Sequence, residues 1–191
     1  MDLQHITWTG PDIDDQSILA RCPLPLQSVL TSVNGFIQFG GGLHLRGACQ
    51  SPDWHALRPA WDGPRAFHSL YPAVDPGWVP FAEDCVGDQL FLANEKVLRL
   101  SAETGDIHEI APSLPAFFES VAAEPVEALG LHPLLQHQSE AGALDPGHLL
   151  LAYPPFATKE AANGVALRAV PAVEIHAFHA DFAAKVAATS Q

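Results

Sequence analysis

The alternation of apolar and polar positions divides the chain into short elements, and the clearest run lies between Val79 and Val121. Leu90-Phe91-Leu92 is an unbroken apolar triplet, the pattern of a strand covered on both faces. Ala93-Asn94-Glu95 turns the chain, and Val97 to Leu100 returns it as a second strand. Glu103-Thr104-Gly105-Asp106 reads as a hairpin loop in which Gly105 supplies a positive φ, and Ile107 to Ile110 as a third strand. Ser113 is placed to N-cap a helix whose first turn accepts Pro115. Leu114, Phe117, Phe118 and Val121 fall on one face of that helix.

Upstream, the residues to about Asp15 are acidic and turn-rich and predict a loosely packed lead-in. Pro23 and Pro25 break any helix that starts at Ser17. From Pro25, the positions Leu26, Val29, Leu30 and Val33 keep helical spacing, with Gly35 suited to the C′ position. Phe36 to Phe39 and Leu43 to Arg46 predict a strand pair around Gly40-Gly41-Gly42. Ser51 to Gly77 reads as a long irregular excursion that does something or hides short helices. Downstream, Val126 to His137 predicts a helix kinked or split by Pro133. His148 to Tyr153 and Gly164 to Val170 predict strands, and Ala172 to Ala188 a closing helix. This last third is expected to enlarge the same sheet.

Leu24-Pro25, Leu30, Asn34-Gly35, Val79 to Asp84, and Gly87-Asp88 before Leu90-Phe91-Leu92 follow one another in a set order. The Val97 strand, Glu103-Thr104-Gly105 and the helix at Phe117-Phe118 complete the set. This order of motifs from Leu24 to Val121 resembles the SUKH superfamily, which includes a yeast cell-wall assembly regulator and many bacterial toxin-immunity proteins. An aromatic residue usual soon after the first Leu-Pro is replaced here by Leu26-Gln27-Ser28. The resemblance implies an α+β fold: a SUKH-like single domain with a mixed, mostly antiparallel sheet flanked by helices. The strand-strand-helix pattern adds a C-terminal extension, giving a core over about residues 17–122 and an extension over about 123–191.

Composition narrows the function. A chain of 191 residues with 48% hydrophobic content suffices for one sizeable core, and no apolar run reaches membrane-spanning length. Met1 to His5 lacks the basic and apolar start of a secretory signal. Cys22, Cys49 and Cys85 are odd in number and far apart, as in reduced buried thiols of a cytoplasmic protein. The formal net charge of −13 argues against nucleic acid as a partner. Asp75 to Glu127 alone carries eleven acidic residues against Lys96 and Arg99. Such a band is either a solvated surface or a docking face for a cationic partner.

Candidate chemistry is sparse. Gly40-Gly41-Gly42 lacks the lysine and hydroxyl residue of a phosphate loop, and no nucleophile elbow occurs, so no catalytic residue is assigned. His176 and His179 could share a metal near Asp181, but a pair among ten histidines is more simply chance, and neither a metal site nor a cofactor is assigned. Glu83, Asp84 and Asp88 either satisfy backbone amides or join a recognition surface. They are taken as partner-binding candidates together with Trp54 and Trp61, which suit interface anchors if exposed. The expectation is a non-enzymatic, cytoplasmic immunity protein that meets a basic toxin domain by direct contact. The alternatives are an adaptor for an endogenous protein and a metal-dependent enzyme using His176 and His179.

Overall fold

A computed structural model describes residues 4–189. The reading of Met1 to His5 as lacking a signal rests mostly on residues outside that range. The chain forms an α+β single domain around a seven-stranded antiparallel meander in which each strand pairs with the next in sequence. The strands are β1 (Ile6–Thr9), β2 (Phe36–Gln38), β3 (Leu43–Leu45), β4 (Val79–Asp84), β5 (Gln89–Ala93), β6 (Lys96–Leu100) and β7 (Ile107–Ala111). Helices α1 (Gln16–Arg21), α2 (Leu24–Ser32), α3 (Leu57–Trp61), α4 (Phe67–Leu70), α5 (Leu114–Ala123), α6 (Pro125–Leu129) and α7 (His132–Ala141) surround it. Strands β8 (His148–Tyr153) and β9 (Ala166–Pro171) and helix α8 (Ala172–Thr189) form the extension.

Every residue of β4 and β5 is buried, which explains their unbroken apolar character: the sheet is covered on both faces. Phe81, Leu90 and Leu92 join the main core with Leu26, Leu30 and Phe117. Phe91 and Leu100 point the other way, into a second core with Phe67, Tyr71 and Ala183 from α4, its following turn and α8. Helix α5 starts where Ser113 accepts a bond from the Ala116 amide, and it buries Leu114, Phe117, Phe118 and Val121 as its spacing predicts.

Four expectations need correction. Residues 6–9 are a strand, not a loose lead-in, because β1 adds to β2 through backbone pairing that side-chain pattern does not reveal. Val33, in extended conformation, ends α2, so Gly35 (φ 76°) opens the approach to β2 and does not cap the helix. Between α6 and α7 the break falls at Gly130 (φ 66°), and Pro133 sits in the first turn of α7, where it needs no donor. Finally, β8 and β9 pair only with each other. They form a separate two-stranded sheet over a small cluster of Leu149, Ala172 and Ile175, tied to the β4–β5 connection by Leu150 N donating to Cys85 O. Among the described residues no helix is long and apolar enough to cross a membrane.

Candidate functional site

Strand register builds the central polar cluster. Glu83 on β4 lies opposite His44 on β3 and opposite Gln89 on β5, so three polar side chains stand in one row across the middle of the sheet. Leu43 and Leu45 face the main core, which turns His44 and Arg46 to the opposite face by strand alternation. On that face they meet Glu83, with His55 arriving from the segment before α3 and His176 from the first turns of α8.

Glu83 is 1% exposed and is bonded on both oxygens. Oε1 meets His44 Nδ1 at 2.8 Å. Oε2 accepts from Arg46 at 2.8 Å, from Gln89 Nε2 at 3.0 Å and from His176 Nε2 at 2.7 Å. Arg46, also buried, donates further to the carbonyls of Pro80 and Ala82 and to Gln89 Oε1. The cluster thus encloses a carboxylate and a guanidinium whose charges compensate each other with most bonds made, the condition under which a buried ion pair is tolerated.

A line of contacts runs on from Glu83. His44 Nε2 lies 2.9 Å from His55 Nδ1, and His55 Nε2 donates to Asn34 O at 3.1 Å. A carbonyl and an ionised carboxylate only accept, so the three contacts between Glu83 and Asn34 require three protons, whereas two neutral imidazoles carry two. Complete bonding along the line would therefore need one imidazolium beside an ionised Glu83. Burial opposes that charge: it draws His44 below its ordinary value against the raising contact with Glu83, and draws His55 down to about 3. Glu83 itself is pushed up by burial, but Arg46, His176 and His44 outweigh this and hold it well below the usual carboxylate range. Chemically the arrangement can hold a proton between imidazoles, with His176, whose side chain is 17% exposed, as its most open member.

Packing around the line is close. A Cβ on Gly47 would stand 2.6 Å from both Asn34 O and His55 Nε2, and one on Gly10 would stand 2.1 Å from Asn34 O. Trp54 lies over the same line, its ring 5.1 Å from His44 and 5.0 Å from Trp8. Beyond His176 a small cavity of about 70 Å³ is lined by Arg46, Trp54, Phe67, Leu70 and Val173.

The sequence-derived candidates separate. Glu83 and Asp84 are buried and therefore lie off the surface: Glu83 stands on the helix-covered face of β4, and Asp84 ends the strand at the β4–β5 turn. Asp84 Oδ1 accepts from the amides of Val86 and Asp88 and so shapes the β4–β5 turn; burial, with Asp88 beside it, raises its pKa well above the ordinary value. Asp88 is half-buried and accepts from Ala102 N at 2.8 Å. Trp61 is buried, donating to Pro76 O at 3.1 Å beneath the Arg21 guanidinium, so it is a core residue and not an exposed anchor. Trp54 is half-buried against the histidine line. His176 and His179 face different cavities, and among the described residues no three His, Cys, Asp or Glu side chains are grouped to hold a metal.

Sequence reasoning missed His44, Arg46, His55 and Gln89. Their signal was present as polar residues interrupting apolar strands: His44 and Arg46 alternate with Leu43 and Leu45, and Gln89 directly precedes Leu90.

No protein-family model and no curated protein matches the chain. Among solved structures it is similar to the crystal structure of Atu4351 from Agrobacterium tumefaciens. The TM-score is 0.56 at 13% sequence identity, over 93% of this chain and 86% of that one. At that identity the likeness concerns the fold.

Proposed function

We propose that this chain is a protein-binding domain of the SUKH type, an immunity protein that neutralises a basic, nuclease-like toxin domain by occluding it. The observation that carries the reading is how charge divides between interior and surface. Five of the nine basic side chains, Arg21, Arg46, Arg58, Arg65 and Lys96, are taken up in ion pairs with Asp62, Glu83, Asp15, Asp53 and Glu109. Asp75, Glu95, Asp106, Glu119, Glu124 and Glu127 are exposed, and among the described residues no salt bridge reaches them. The surface therefore offers uncompensated negative charge, while the side chains best equipped for chemistry are enclosed and bonded to one another. A nuclease must hold a polyanion and so presents the opposite charge. Complementary potentials of this kind speed encounter and reject wrong partners.

The reading is tested at the gene and in the cell. A neighbouring gene for a large secreted protein with a toxin-like C-terminal domain is expected, and co-expression of the chain should restore growth to cells making that domain. Absence of such a neighbour, or failure to rescue when both proteins are soluble and present at equal level, contradicts it.

A further inference from the structure

A second cleft opens where the main sheet meets the C-terminal extension. Its volume is about 370 Å³, and Asp88, Glu103, Asp106, Phe156 and His179 are among its lining. That space far exceeds the roughly 10–15 Å³ needed to hold one water. Two carboxylates are fixed in place by backbone donors: Asp88 Oδ1 accepts from Ala102 N at 2.8 Å, and Glu103 Oε2 from Ala157 N at 2.7 Å. Asp88 Oδ2 has no donor among the described residues. Arg99, whose charge acts on Asp88, directs one guanidinium nitrogen to Ala128 O at 2.9 Å.

His179 is the second and independent sign. It is 2% exposed, yet neither ring nitrogen has a partner among the described residues. A buried polar group left unpaired is costly, and such groups are rare without a reason. A neutral imidazole offers one donor and one acceptor nitrogen, so the ring lacks both a partner that accepts and one that donates N–H, and a cation can supply the second.

We propose that this cleft is a socket for a cationic side chain, an arginine guanidinium or a lysine ammonium, presented by the partner protein. The assignment rests on the protein-binding reading above. The cation donates N–H to Asp88 Oδ2 and to the accepting nitrogen of His179. Glu103 and Asp106 add negative charge, and Phe156, 41% exposed, covers the alkyl stem. Burial raises the pKa of both Asp88 and Glu103, and it lowers that of His179 to about 4. The free cleft is therefore a place where negative charge is costly and the imidazole stays neutral, and a bound cation relieves the first while using the second. The lining carboxylates disfavour anions.

The test uses N-acetyl-arginine amide against its neutral isostere, N-acetyl-citrulline amide, added to the full chain at neutral pH and followed by amide and imidazole resonances. Saturable shifts at Asp88, Glu103 and His179 with the arginine compound, in the millimolar range or tighter, and much smaller shifts with citrulline support the socket. Asp88→Asn and Glu103→Gln keep acceptors for the Ala102 and Ala157 amides, and each should weaken binding about tenfold, a factor that corresponds to one buried charged contact. Asp12→Asn, at an exposed carboxylate outside the cleft, should leave binding unchanged. No saturable shift up to about 50 mM overturns the socket, as do equal shifts with both compounds. Growth rescue is read separately: rescue without arginine binding removes the socket alone, and arginine binding without rescue removes the immunity reading alone.

Discussion

Glu83 illustrates how one residue's sequence neighbourhood can mislead and its register inform. It lies in an apolar strand beside Asp84, but the two carboxylates do different things. Glu83 is the shared acceptor of Arg46, Gln89 and His176, whereas Asp84 caps a turn. Removing Glu83 leaves the Arg46 guanidinium buried without a counter-charge, so Glu83→Ala should lower unfolding free energy by about 3–5 kcal/mol. The double variant Glu83→Leu with Arg46→Met should recover part of that loss, as urea midpoints would show. A loss for Glu83→Ala below about 1 kcal/mol would mean that the pair is solvated.

The buried imidazoles make a second prediction at this scale. His55 and His179 titrate near 3 and 4 in the folded protein against 6.5 ordinarily. Below pH 6.5 the unfolded chain takes up protons that the native chain refuses, so stability falls as pH drops through that window. Each group contributes about 1.4 kcal/mol per pH unit. Asp84 and Asp88, raised by burial, bind protons earlier in the native state and offset part of this fall. The His55 share is the difference between the chain and His55→Gln, whose stability should depend less steeply on pH between about 6 and 4. Equal slopes would show that His55 is already protonated in the native state.

Among the elements, those that pack by their own periodicity were legible and those that depend on remote backbone were not. Strands β5 to β7, helix α5 and helix α8 stand close to where the sequence puts them, because apolar runs, Gly105 and the Ser113 cap are local signals. Helices α3 and α4, at five and four residues, are too short to show a helical period. Strand β1 exists through its pairing with β2, and the separation of β8–β9 from the main sheet is likewise a backbone matter. The polar cluster was misread for one reason. Alternation sends polar residues to solvent only when one sheet face is bare, and here α3, α4 and α8 cover the second face. Two substitutions check the element-level account by urea denaturation. Ser113→Ala removes the cap of α5 and should cost about 1 kcal/mol. Gly47→Ala drives a methyl against Asn34 O and His55 and should cost about 1–3 kcal/mol. A neutral Gly47→Ala would show that the histidine line is looser than its distances indicate.

For the whole molecule, the separation of charge is the feature with functional weight. Basic side chains are largely paired, the enclosed cluster compensates itself, and acidic residues remain exposed around α5, α6 and the hairpin turns. Reversing Glu119, Glu124 and Glu127 to lysine should leave stability within about 0.5 kcal/mol per site, since surface changes seldom cost more. It should slow capture of the toxin domain. The central claim, that charge-steered contact neutralises a basic partner, is tested most directly by the association rate with the neighbour-encoded toxin domain as a function of salt. The rate should fall about tenfold or more between low salt and several times physiological ionic strength, with a flatter dependence in the lysine variant. A rate that stays constant across that range, or no complex at low salt, would contradict it.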